Sequence, residues 1–421
     1  MAPDKRILKA GFFSPYWLTA MSVIHRNLRS GQTIWQGAPL PEIPSQPAVG
    51  DIETDVIIVG AGITGAIIAD VMTEVGFDVA LVDRRGPVRG STVATTALIQ
   101  FELDTPLFKL AEQIGTERAQ RMWKRSKRAV DSLARRVEGI ACDWQTRPAL
   151  YLAGNLLDVT GLRGEAQARQ NIGLSADFID ARQLQEAYGI AKDGAIRSQG
   201  NGEANPILLA AGLIRRALAR GAALYYPVEI TDLREDLDSV IAHSKDDIAF
   251  KARTLIYATG YELADIVPRQ GSRVISTWAL ATAPQPDRLW PTRCQMWEAA
   301  DPYLYLRTTP DGRVIAGGED EDFSNAQVRD ALIGEKTAAI QRKLRALLPQ
   351  IDTEADFAWT GSFGVSDSSM PSIGLIPGKS RSYAVRAFGG NGIVFSMIAA
   401  EVLRGFLRGP PDPDADLFAF A

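Results

Sequence analysis

The stretch from Val56 to Asp83 reads VIIVGAGITGAIIADVMTEVGFDVALVD, and it decides the fold. Val56 to Val59 is a short apolar run of β-branched residues, the pattern of a central parallel strand covered on both faces. Glycines follow at once. Ile63, Ile67, Val71 and Val75 recur every four residues, which lines them along one helix face, and Gly76 stands where a left-handed C-cap belongs. Val79 to Val82 is a second buried strand, which completes a βαβ half-unit.

Gly60, Gly62 and Gly65 have GxGxxG spacing, and each answers a different demand. Gly60 permits the tight strand-to-helix turn, Gly62 lets backbone approach a pyrophosphate, and Gly65 lets helix and strand pack closely. The N–H groups around Ile63 and Thr64 open the helix and offer its positive end to phosphates. Asp83 ends the second strand 23 residues after Gly60, placed to accept a hydrogen bond from a ribose hydroxyl. A glycine triplet alone marks any loop. With a strand before it, a helix after it and an acid at this offset, it predicts dinucleotide binding.

At 421 residues the chain exceeds the size at which one core stops growing, so two domains are expected. Hydrophobic residues make 46% and charged residues 23%, a balance that excludes disorder and collagen-like order. The net charge of −4 gives no global pull toward nucleic acid or anionic lipid. Cys142 and Cys294 are too few for a disulfide framework or a structural zinc site, and read as buried thiols of a reducing compartment. The segment from Ala10 to Ile24, broken by Ser14, Pro15 and Thr19, fits neither a signal peptide nor a membrane span. A cytoplasmic location without a membrane partner is therefore expected. His25 and His243 are far apart in sequence and suggest no metal site.

Beyond the half-unit, the chain alternates helices and strands. Phe12, Phe13, Tyr16, Trp17 and Trp35 give residues 1–50 too much aromatic surface for a free tail, so this arm should pack on the body. Thr105 with Pro106 opens one helix; Thr116 opens another to about Val137, with Ala119, Met122, Val130, Leu133 and Val137 on its apolar side. Asn205 and Pro206 open a helix closed by Gly221. Ala223 to Tyr226 and Leu255 to Ala258 read as strands, and polar hairpin-like segments lie between them. From Arg273 to Gly317 longer strands with a turn at Pro310, Asp311 and Gly312 predict an antiparallel sheet. A helix around 326–348, a glycine-rich tail and a last apolar helix from Ile393 to Leu407 follow.

Residues 54 to about 407 resemble the FAD-dependent amine and amino-acid oxidoreductases, the D-amino-acid oxidase, glycine oxidase and sarcosine oxidase superfamily. The resemblance rests on the glycine fingerprint, on Arg84, Arg85, Gly90, Ser91, Thr92, Ala94, Thr95, Thr96 and Ala97 after the acid, on the Ala258, Thr259, Gly260 turn, and on Gly389, Gly390, Asn391, Gly392 and Ile393. It implies an α/β fold with a Rossmann-like FAD-binding domain (51–102, 200–262, 358–421) and an interleaved antiparallel-sheet substrate domain (103–199, 263–357). It implies that Ser91 to Leu98 wrap the flavin, that Val228 pairs with adenine through its backbone, and that turns at Gly361 to Gly364 and Gly389 to Ile393 hold the isoalloxazine. The helix end near Asn391 would then face the negative charge of the reduced ring.

A single dinucleotide fingerprint points to electrons drawn from an organic substrate and passed to oxygen or a redox partner. The resemblance implies a small amine or amino acid, oxidised at its C–N bond to an imine that hydrolyses; a hydroxy-acid dehydrogenase or an electron-transfer subunit are the alternatives. It implies Arg307, on Tyr303 to Arg307, as the anchor of a substrate carboxylate, the alternative being a solvated arginine at a hairpin end. Tyr305, Trp297, Glu298 and Tyr303 are expected as an aromatic wall or as core, and Gln100 and Glu102 as substrate contacts or the exposed face of a strand. Arg118, Arg121, Lys124, Arg125, Lys127, Arg128, Arg135 and Arg136 make the helix from Thr116 basic; a solvated face is expected, not a nucleic-acid surface. Some relatives attach flavin to a late cysteine, but no Cys follows Cys294. Non-covalent FAD is expected, so acid precipitation should release the flavin into the supernatant; colour held in the pellet would refute this.

Overall fold

The structure is a computed structural model that describes residues 19–20, 23–37, 40–386 and 388–420. A six-stranded sheet has the order Ala223–Tyr225, Val79–Val82, Val56–Val59, Thr254–Tyr257, Ser382–Arg386, Ser372–Leu375. Its first five strands are mutually parallel and the last is antiparallel. Side-chain alternation sends Val56, Ile58, Leu81, Ile256 and Val385 toward a layer of helices. Ile57, Val82, Leu255, Tyr257 and Ala384 go to the other face, where a five-stranded sheet containing Ile230–Glu235, Val240–Ser244 and Ala249–Ala252 covers them.

The helix Ile63–Glu74 is buried all round from Thr64 to Thr73, not along one face. The helices Pro206–Ala219 and Gly392–Leu407 lie against it as well as the sheet. Asn205 caps Pro206–Ala219 by accepting from the Ile207 and Leu208 N–H groups. Gly389–Leu407 is apolar and long enough to cross a bilayer by length and composition, but much of it is buried here as core. The expected helix around 326–348 is two, Ala326–Ala331 and Ile333–Leu347.

The large sheet has the order Arg29–Gly31, Ala355–Ser366, Ser272–Thr282, Val314–Glu321, Leu304–Thr308, Gln295–Glu298, Gln145–Leu152, Gly194–Glu203, Leu98–Ile99. Leu304 and Leu306 pack under the helix Ile333–Leu347, which leaves Tyr305 and Arg307 on the opposite face. Two strands of this ladder run across the expected domain boundaries at 200 and 358, because a hydrogen-bonded strand does not stop at a sequence divide. Arg29–Gly31 of the arm adds its edge strand. Phe12, Phe13, Tyr16 and Trp17 lie outside the described residues.

Two expectations about the helix Thr116–Arg136 need correction. Its Ala119, Met122, Trp123, Val130 and Leu133 share a core with the parallel sheet, so it belongs with the nucleotide-binding layer and not with the substrate domain. Its basic face is not simply solvated. Arg121 meets Asp414 at 3.0 Å and Asp416 at 2.5 Å, Arg125 meets Glu401 at 2.7 Å and Asp412 at 3.0 Å, and Arg128 pairs with Asp414. The acidic chain end is strapped along it.

Asp70, with 0% exposure, is the buried anchor of the helical layer. Arg216 clasps it through both oxygens at 2.7 Å, Arg220 reaches it at 3.0 Å, and Arg136 completes the set. Removing the carboxylate would take a shared partner from three partly exposed guanidinium groups, of which Arg136 keeps Glu74 at 2.6 Å. Asp70→Ala should therefore cost about 1.5–3 kcal/mol in urea unfolding; a loss under about 0.5 kcal/mol would contradict this role.

Candidate functional site

The nucleotide end begins where Val56–Val59 stops. Gly60 turns at φ +111°, a left-handed conformation that a side chain resists, and its N–H is held by Val82 O at 2.8 Å. A Cβ on Gly65 would overlap Gly60 O, so helix and turn are in contact. The first-turn N–H groups of Ile63–Glu74 lack intrahelical partners, and that of Ile63 donates to Thr92 Oγ1 at 3.0 Å. Asp83 accepts from the N–H groups of Ala61 at 2.8 Å, Arg85 at 2.7 Å and Gly86 at 3.0 Å. Burial raises its pKa against these bonds, and one acceptor position remains for a ribose hydroxyl. Arg84 and Arg85 pair with Glu229 and Glu262, so they wall the slot without a free charge. The Val228 N–H is spent on Asp83 O at 2.9 Å, which leaves its carbonyl, and not both backbone groups, for adenine.

The stretch 91–98 runs from this slot into a second cavity; Ile63, Thr64, Ser91, Thr92 and Gly260 line both. Three successive carbonyls in it are each held by a side chain from elsewhere. Ala94 O accepts from Trp359 Nε1 at 2.8 Å, Thr95 O from Trp35 Nε1 at 2.8 Å, and Thr96 O from Arg307 Nε at 2.7 Å. Ala97 then takes φ +54° and Leu98 enters the large sheet. Opposite, Asn391, Gly392 and Ile393 bring the start of Gly392–Leu407 to the cavity, with Asn391 Nδ2 donating to Gln100 O at 3.1 Å and Glu102 O at 2.9 Å. Gly361 also lines it, but in mid-strand within Ala355–Ser366 and not in a turn.

This arrangement overturns two substrate assignments. Arg307 is 2% exposed and absent from the cavity wall; its other donors go to Thr308 O and Ala204 O, and Glu203 lies 3.8 Å away. Desolvation presses its pKa down to about 10. It pins the backbone beside the flavin site instead of anchoring a carboxylate. Glu102 is buried as well, its carboxylate bound to Ser198 and Asn201. Glu298 pairs with Lys192 at 2.6 Å and accepts the Leu304 N–H, so it is no part of an aromatic wall.

The far wall consists of Trp297, Tyr303, Tyr305, Thr277, Phe363 and Asp104. Trp297 stacks on Tyr151 with ring centroids 3.9 Å apart. Tyr305 bonds to the side chains of Thr96 and Thr277. Tyr303 donates its phenol proton to Asp320 Oδ2 at 2.8 Å, and burial raises the Asp320 carboxyl to about 6. Asp104 is open to the cavity; Gly390 N–H donates to its Oδ2 at 3.0 Å, while desolvation by the surrounding protein raises its pKa against that bond. The sequence reading missed Asp104, Tyr261, Phe363 and Phe388. Asp104 lies beyond the strand Leu98–Ile99, where alternation is no guide. The aromatics carry no local signal.

The residues fit a flavin dinucleotide. Thr259 Oγ1 and Gln100 Nε2 border the slot and its cavity as buried polar atoms without a protein partner, which a polar ligand would satisfy. Among the described residues no group of three His, Cys, Asp or Glu side chains could hold a metal.

The DAO family, FAD dependent oxidoreductase, matches residues 55–404. Gamma-glutamylputrescine oxidoreductase of Escherichia coli K12 is 24% identical over 386 residues, covering 88% of this chain and 86% of that protein. Among solved structures, glycine oxidase from Geobacillus kaustophilus superposes with a TM-score of 0.70 at 19% identity, over 88% of this chain and 99% of its own. L-Proline dehydrogenase from P. horikoshii reaches 0.73 at 15% identity, over 88% and 97%. At these identities the structures establish a shared fold.

The Asp320 carboxyl gives a titration that can be read in solution. Its pKa lies above the ordinary 3.8, so the proton is bound more tightly in the fold, and that stabilisation is complete below 3.8 and lost as pH rises through about 6. The unfolding free energy of the wild type relative to Asp320→Asn should fall across this window. A flat difference would contradict the burial of this carboxyl.

Proposed function

The chain belongs to the DAO family of FAD-dependent oxidoreductases, and from that premise we propose that it oxidises the C–N bond of a small amine or amino acid. The observation that carries this reading is the cavity wall of Trp297, Tyr303, Tyr305 and Asp104 at the end of the slot where stretch 91–98 and the helix start at Gly392 converge. The similarity to a protein named for gamma-glutamylputrescine oxidation supports the same class.

FAD, held by Gly60 to Gly65, Asp83, 91–98 and 389–393, supplies the hydride acceptor. The rest falls to this chain's side chains. Asp104 Oδ2 is engaged by Gly390, which leaves Oδ1 to take the ammonium proton and deliver the neutral amine. The carbon gives up its hydrogen with the bonding electron pair to the hydride acceptor and the nitrogen lone pair closes a C=N bond, so the product forms as a protonated imine and the only proton released is the one on Asp104. Water then splits the imine to a carbonyl and an amine, and the two electrons pass on to oxygen or a redox partner. Trp297, Tyr303 and Tyr305 exclude solvent and orient the carbon. Cys142 and Cys294, buried with thiol pKa values raised by desolvation to about 11, suit a reducing compartment and the cytoplasmic location we assign.

Anaerobic mixing of the yellow protein with a panel of amines, amino acids and hydroxy acids tests the reading. Amines or amino acids should bleach the flavin band without a partner protein. Bleaching by hydroxy acids alone, or only when a second protein is added, would overturn it.

A further inference from the structure

Among the described residues that line the cavity there is neither arginine nor lysine; its ionisable members are Asp104 and the phenols Tyr261, Tyr303 and Tyr305. The nearby cations are committed elsewhere. Arg307 holds Thr96, Ala204 and Thr308 carbonyls beside Glu203. Lys192 is paired with Glu298, and Arg169, wholly buried and outside the cavity wall, pairs through Nε with Glu165 at 2.7 Å and packs on the rings of Trp123 and Tyr151, its two terminal nitrogens without hydrogen-bond partners. Behind the wall lies a second acid, Asp320, bound by Tyr303.

A substrate carboxylate placed here would be desolvated, unpaired and next to Asp104, and a buried charge without a partner is expensive. An ammonium meets the opposite conditions. Asp104 offers it the oxygen that Gly390 leaves open, and the aromatic rings of Trp297 and Tyr303, which line the same cavity, attract a cation. Accepting the amine-oxidising reading above, we propose that the substrate is an alkylamine with no carboxylate on the reacting carbon, held as its cation by Asp104 between the aromatic side chains.

Two measurements on the FAD-loaded protein test this. In the first, n-butylamine and butyrate are titrated against the visible flavin spectrum. Butylamine should bind at least about tenfold more tightly, and Asp104→Asn, which keeps FAD, should bring the ratio to within about threefold of unity. Equal or tighter binding of butyrate, no perturbation by butylamine, or an unchanged ratio in Asp104→Asn would each overturn the proposal. The wild-type ratio stands by itself if the variant fails to fold. In the second, flavin reduction is compared for N-methylbutylamine and its α-carboxylated counterpart N-methylnorvaline. Faster reduction by the amine supports the inference. Faster reduction by the amino acid overturns it and leaves C–N oxidation intact, whereas reduction by hydroxy acids alone removes the underlying reading and leaves the binding ratio to judge the cavity.

Discussion

Three consecutive carbonyls, those of Ala94, Thr95 and Thr96, have no ladder of their own, and the site depends on how they are satisfied. A buried carbonyl without a donor costs as much as a lost hydrogen bond. Trp359 from the large sheet, Trp35 from the arm and Arg307 from the strand beside Tyr305 each supply one N–H. The stretch that borders the flavin cavity is therefore where arm, large sheet and nucleotide-binding layer are fastened together. A polar group that looks like a substrate anchor in the sequence is, in the fold, a fastening.

The same economy governs the other arginines. Asp70 gathers three of them beneath the helical layer, and the acidic chain end occupies the basic face of Thr116–Arg136. Each guanidinium offers several donors in a rigid fork, which suits it to hold buried carboxylates and backbone carbonyls. With its cations used in this way, the chain leaves the cavity wall to phenols, an indole and a carboxyl. The chemistry of that wall is set as much by where the positive charge has been withdrawn as by what remains.

Alternation along single strands divides labour between stability and function. Leu304 and Leu306 build the core under Ile333–Leu347, while Tyr305 and Arg307 on the same strand face the cofactor side. In the parallel sheet, Ile57 and Ile58 belong to different cores for the same reason. A register slip of one residue would exchange the two sets, so the buried face fixes the placement of the functional one.

The sequence by itself determined what depends on neighbours in the chain. The strand Val56–Val59, the glycine turn, the strand Val79–Val82 and the Asn205 cap are local, because backbone sterics and a few successive side chains decide them. Dinucleotide binding was legible for the same reason, since its fingerprint is a contiguous turn with one acid at a fixed offset, whereas the FAD-dependent family rested on a resemblance spread over several segments. Tertiary structure alone decided that Arg307 and Glu102 spend their polar groups on protein partners outside the cavity wall, that Asp104 opens into it, that Val228 has only its carbonyl left and that the basic helix receives the acidic segment 412–416. Each is a choice of hydrogen-bond or charge partner far away in sequence, and no local pattern encodes a partner that only folding brings within 3 Å.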